Sequence, residues 1–233
     1  MRVPTALRLV ALTIVALVVA ACGSPASVAV DPTTAPTTAA PSTAAGTAIP
    51  TSALIWTVSD KSKAVVSVHE QLVGVNLPSD AVLTATGAKG TFALNTDGTF
   101  ASGSKITFDL TTLSSDQSQR DSFVKQDTLA TRQFPTAAFV PTKVAGLALP
   151  MPATGDFTFT LTGTLTIHGK DKTVTFDVKA TRTGSDLTAT ATANPVLKFE
   201  DFGMSAPSVP FKVVSVVDEI RLVVTLVATG PAS

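Results

Sequence analysis

Sulfur and imidazole are scarce in these 233 residues, which hold one cysteine, two histidines and no tyrosine. A single thiol excludes an intramolecular disulfide, so oxidising surroundings add nothing to the fold. His69 and His168 stand in no metal-ligand spacing, and Cys22 lies far from both, so zinc has no ligand set. Charge is also sparse: 15% of residues are charged, with Lys and Arg matched by Asp and Glu. Nucleic-acid binding needs a basic face, and none is visible. There is no GxSxG elbow, no P-loop and no GxGxxG turn. The carboxylate neighbours Glu200-Asp201 and Asp218-Glu219 are adjacent in sequence, which does not place them across a cleft as glycoside hydrolysis requires. No catalytic residue, metal ligand or cofactor is expected.

Long apolar runs are missing too, apart from one at the start. Arg2 and Arg8 precede an apolar stretch from Leu9 to Ala20, too short to span a bilayer and in keeping with a signal-peptide core. It ends in "VVAAC" (Val18–Cys22), which resembles a bacterial lipobox. The resemblance implies lipidation of Cys22 and loss of residues 1–21, leaving two more acidic than basic side chains. Residues 22–53 carry one charge, Asp31, no aromatic, and much Pro, Thr, Ala and Ser. Such a composition cannot bury enough surface to offset chain entropy and reads as a disordered tether, with a root-mean-square span of roughly 30 Å.

What remains, 54–230, suits one domain with a real core, and its patterning is β. In "FTFTLTGTLTIHG" (157–169) apolar or glycine positions alternate with threonine, the period of a strand with one oily face. Strands are expected at 64–72, 81–87, 89–95, 104–110, 136–144, 156–169, 172–181, 186–200 and 213–229. Turn signals separate them at Asp97-Gly98, Gly169-Lys170-Asp171 and Gly184-Ser185-Asp186. Strands 156–169 and 172–181 make the clearest hairpin, with Phe157, Phe159, Leu161, Leu165 and Ile167 inward on one arm and Val174, Phe176 and Val178 on the other. Gly163 marks a bend or a close approach. One segment departs from the pattern: 118–134 reads as a short helix, with Ser118 and Asp121 resembling a capping box and Phe134-Pro135 as its stop. An ion pair at Arg120-Asp121 would contribute little on a surface. His168 reads as a solvated turn residue and His69 as an outward one. Successive hairpins on one oily face suggest a barrel or a sandwich.

Four pieces in order resemble the YceI family of bacterial extracytoplasmic proteins. "WTVSDKSKAVVSVHEQLVG" from Trp56 is similar to its opening strand. "FDLTTLSSDQSQRDSFVKQDTLATRQFPTAAFV" (108–140) is similar to its strand, Arg-Asp helix and Phe-Pro return. "FTLTGTLTIHGKDKTVTFDV" (159–178) is similar to its glycine-containing hairpin, and "FEDFGM" (199–204) to its late turn. The resemblance implies an all-β fold, an eight-stranded antiparallel lipocalin-like barrel with one short inserted helix and a long apolar cavity. It also implies a protein that binds polyisoprenoid or other long-chain amphiphiles without catalysis. Wall candidates are then Phe92, Ile106, Phe108, Phe123, Phe159, Leu161, Val174 and Phe176. Arg120 and Asp121 match the family's Arg-Asp pair, which either serves a ligand head group or braces the helix. The chain departs where Lys61 stands between Asp60 and Ser62, in the loss of a phenylalanine-rich run at 76–90, and in its missing tyrosines.

Two functions follow. One is a lipid-anchored binding protein on the extracytoplasmic face of the bacterial envelope, holding an isoprenoid or other long-chain lipid for carriage or sequestration, with the membrane and a second copy in a homodimer as further partners. The other is a non-catalytic envelope interaction domain whose phenylalanines only fill a core. Alternation looks the same for a hollow and a filled interior, so interior volume separates the two.

Overall fold

The computed structural model describes residues 53–231 apart from Val75 and 209–212. The expected signal peptide and tether, Cys22 included, lie outside the described residues. Ten strands form one antiparallel sheet: β1 (Leu54–Val58), β2 (Lys63–Leu72), β3 (Ser79–Leu94), β4 (Lys105–Ser114), β5 (Thr136–Ala145), β6 (Thr154–Ile167), β7 (Lys170–Thr183), β8 (Asp186–Ala193), β9 (Val213–Val216) and β10 (Arg221–Thr229). The sheet runs from β2 through each neighbour to β8, then β10, and β10 pairs back onto β2 at Arg221↔Ser67 and Thr225↔Lys63. That closes an eight-stave barrel and removes the free edges an open sheet would present.

Two staves are broken. β1 and β2 both lie between β3 and β10, in line with one another. At the break, the buried Ser62 hydroxyl donates to Val227 O (3.1 Å) and accepts from Val227 N (2.9 Å), replacing a missing ladder pair. β9 and β10 likewise share one edge of β2, so the single strand expected over 213–229 is two. Between them Val217 N–H still reaches His69 O, and Asp218 turns its carboxylate to the Phe199 amide (2.8 Å).

The two strands expected at 81–87 and 89–95 are one, β3. Its ladder with β4 shifts register twice, between Thr84 and Lys89, and bulges let a strand bend without ending. Gly90 sits there at φ +134°, and a Cβ on it would lie 2.0 Å from Lys105 O. Only glycine fits that approach. The strand expected at 186–200 stops at Ala193, and a 3-10 turn follows at Glu200–Phe202. It buries Phe199, Phe202 and Met204. Gly163 proves to be a close approach: a Cβ on it would meet the Phe139 ring at 2.4 Å and Val140 O at 2.5 Å. Opposite it, β5 shifts register between Pro141 and Lys143.

The inserted helix is shorter than its pattern. Helix α1 covers Ser118–Phe123 and passes into one π-helical turn, Val124–Thr128. The capping box is not formed. Gln117 is the N-cap and makes no side-chain cap bond, while the Asp121 carboxylate accepts from the Ser115 amide (2.8 Å) and hydroxyl (2.7 Å). Asp121 thus ties the helix to the end of β4.

Candidate functional site: a two-part apolar cavity

Inward positions of the staves differ sharply in size around the barrel. β4, β6 and β7 present Ile106, Phe108, Phe159, Leu161, Phe176 and Val178, whereas β8 presents Leu187, Ala189 and Ala191. β2 and β3 add Ala64 and Ala85, and β7 adds Ala180. Large residues on one side facing alanines on the other cannot meet in the middle. They leave a cavity of about 160 Å³ whose every lining residue is apolar. Interiors close-pack wherever they can, and a dry apolar void of roughly 150 Å³ is able to take an apolar guest.

A second, larger cavity of about 550 Å³ lies under α1, at the end of the barrel where β2 meets β9. It shares Val66, Leu110, Leu113 and Ile167 with the first, so those four side chains form the partition. Its volume falls within the roughly 300–1,000 Å³ usual for small-molecule sites. Phe123, Val124, Leu129, Phe199, Met204, Val213 and Val216 supply its apolar surface. Its charged lining is confined to one corner, where β2 brings Glu70 and α1 brings Arg120. Arg120 Nη2 donates to Glu70 Oε1 at 2.7 Å, and Nη1 to Asp116 Oδ1 at 2.6 Å. The Glu70 side chain is 8% exposed and that of Arg120 19%.

The deep end carries a different cation. Arg182 continues the inward alternation of β7 after Val174, Phe176, Val178 and Ala180 and is 1% exposed. Its guanidinium donates to the carbonyls of Gly184 (3.0 Å), Met151 (2.9 Å), Pro152 (3.2 Å) and Pro231 (3.2 Å). It also lies 5.0 Å from the Trp56 ring centroid, a cation–π distance. This assembly closes the barrel where β1 enters and places Trp56 on the wall of the smaller cavity.

Of the residues picked from sequence, Phe92, Ile106, Phe108, Phe159, Leu161 and Phe176 line the inner cavity, while Arg120 and Phe123 line the outer one. Val174 is buried in the core but borders neither cavity, and Asp121 is turned to Ser115. His168 is not the solvated turn residue expected. It is half-buried at φ +51°, packs edge-on against Phe134 (4.7 Å between centroids), and sets Nδ1 3.3 Å from Phe202 O. His69 faces outward, its Nδ1 2.8 Å from Asp80 Oδ1. Sequence reasoning missed Glu70, Arg182 and the alanine wall. The signals were present: Glu70 is in phase with Ala64, Val66 and Val68, Arg182 with Val174 to Ala180, and "LTATATA" puts a small residue at every second place.

Among the described residues no group of three or more His, Cys, Asp or Glu side chains is placed to hold a metal ion. Fold and cavity define the class, a closed antiparallel barrel with an apolar inner chamber and one charged corner in its outer cavity. Residues 56–228 match the model of the YceI-like domain, and the chain belongs to that family. A UPF0312 protein of Pseudomonas putida is 36% identical over 131 residues, covering 51% of this chain and 64% of that relative. The match therefore spans somewhat under two thirds of the relative's length. Among solved structures, a polyisoprenoid binding domain from Saccharophagus degradans superposes with a TM-score of 0.58 at 10% identity, covering 76% of this chain and 99% of that one. At that identity the likeness is one of fold.

Proposed function

We propose that this chain is a lipid-anchored binding protein of the bacterial envelope that holds a long-chain apolar lipid, a polyisoprenoid or similar, for carriage or sequestration without catalysis. The observation that carries the reading is the two-part cavity, apolar throughout its inner chamber and charged only at one corner of the outer. Each Å² of hydrocarbon taken from water contributes roughly 25 cal/mol, so such walls retain a chain with few directional contacts. The polyisoprenoid-binding relation of the Saccharophagus degradans neighbour supports the same ligand class. The lipobox-like "VVAAC" supports lipidation at Cys22 and an extracytoplasmic site.

The test is mass spectrometry of organic extracts from protein purified from its bacterial membrane. Stoichiometric long-chain lipid is expected, and its absence from both native and lipid-incubated protein would overturn the reading. Replacing Cys22 with alanine is expected to move the protein from the membrane to the soluble fraction; retention in the membrane would overturn the anchor.

A further inference from the structure

Glu70 and Arg120 are the only charged side chains among the described residues that line the outer cavity. We propose that this pair sets the head-group class: the site accepts a lipid with an uncharged hydroxyl or carbonyl head and rejects the phosphorylated form, with Glu70 as the discriminating residue. The inference rests on the lipid-binding reading above and narrows it.

The charge at this corner is already committed. Arg120 is the cation in the cavity wall to which an anionic head would turn, and each arm of its guanidinium already serves a carboxylate, one Glu70 and one Asp116. The three groups together carry one net negative charge. A phosphomonoester adds roughly one and a half to two more at neutral pH, and like charges at close range repel, most where the carboxylate is as little solvated as that of Glu70. A phosphate that uses the N–H groups left on the guanidinium lies against both carboxylates, and one that takes the Glu70 place displaces that side chain. That would leave a carboxylate with 8% side-chain exposure unpaired against Val66, Val68 and Leu72, and an orphaned buried charge is costly. A hydroxyl has no such conflict. It donates to the carboxylate, which has lone pairs beyond the one Arg120 uses, and the ion pair stays intact.

A second role of the pair is structural, since it joins β2 to α1 across fifty residues of chain. The experiment therefore reads a ratio. Geranylgeraniol and geranylgeranyl monophosphate are titrated into delipidated protein, with the fluorescence of Trp56, the only tryptophan and part of the inner wall, as the signal. Wild type is expected to prefer the alcohol by at least about tenfold. Glu70→Gln is expected to raise affinity for the monophosphate and shift the ratio by about tenfold or more. The double change Glu70→Gln with Arg120→Gln is expected to cancel that gain. A pair that only braces the helix would weaken both ligands in parallel, which would overturn the proposal, as would a wild-type protein that takes both equally.

Asp116→Asn, on an exposed side chain, guards against a Glu70 variant too unstable to purify. It is expected to favour the monophosphate in the same direction by a smaller factor, and no shift would count against the proposal. If neither lipid binds wild type, the lipid-binding reading itself falls. That result is distinct from binding without selectivity, which overturns only the inference.

Discussion

At the scale of single residues, the barrel depends on polar groups that replace missing backbone pairs. Ser62 serves the Val227 amide and carbonyl together inside the closed sheet. Ser62→Ala leaves the Val227 amide without that partner, while the carbonyl keeps the Ser59 amide (2.8 Å), and a buried unsatisfied group costs about 1–3 kcal/mol. A lower urea midpoint at unchanged slope is the expected result; an unchanged midpoint would show that water reaches the break. Arg182 meets four carbonyls at the end of the barrel where β1 enters. Its alternation phase was legible in the sequence, its partners were not, because Met151, Pro152 and Pro231 belong to segments without periodicity. The same holds at the mouth. Arg120 stands out in a segment with helical signals, but Glu70 hides in a strand, and only barrel closure brings the two together.

At the scale of elements, alternation and turn residues locate almost every strand, and what they miss has a common physical cause. Bulges change the count of residues on one side of a ladder while leaving composition untouched, so one strand can look like two at Gly87–Gly90 and two like one at Val217–Ile220. Gly163 shows the same limit, since its role depends on Phe139, a residue of the neighbouring stave. Gly163→Ala is expected to destabilise by about 1–3 kcal/mol, the usual cost of overpacking. Phe139→Leu in the same chain should recover part of that loss and no more, because Val140 O is still 2.5 Å from the new Cβ. Equal midpoints for the single variant and wild type would overturn this account.

The 3-10 turn at Glu200–Phe202 supplies one source of pH dependence. The Asp201 carboxylate accepts from Lys172 and from the Lys198 amide, and chiefly the Lys172 bond holds it below the usual carboxylate range, against a smaller opposing effect of burial. A depressed folded-state value means that the contribution is complete above the unfolded-state value, about pH 4. It is lost as pH falls through the lower folded-state value. Asp201→Asn is therefore expected to cost on the order of 1 kcal/mol near neutrality. The gap in melting temperature to wild type should close as both are acidified. A gap that stays constant with pH would remove the carboxylate charge as the cause.

For the whole molecule, the decisive property is that the interior is hollow, and it comes from where the small residues sit. Closure of eight staves fixes a barrel whose interior side chains nearly fill it. Whether they do fill it depends on volumes summed around the ring. The phenylalanines of β3, β4, β6 and β7 advertise an oily interior, but the alanines of β8 decide that it is hollow, and neither set says so alone. Ala191 lies on the wall of the inner cavity, so Ala191→Leu separates a chamber kept open from a core merely packed. In an open chamber the added carbons gain contacts without displacing neighbours, and stability should rise by about 0.5–2 kcal/mol. Geranylgeraniol affinity should meanwhile fall by about tenfold or more, because the same volume is withdrawn from the guest. In a filled core the added carbons would overpack and cost about 1–3 kcal/mol. A higher melting temperature joined to weaker lipid binding is the paired result the hollow barrel requires; a lower melting temperature would mean that its walls already meet.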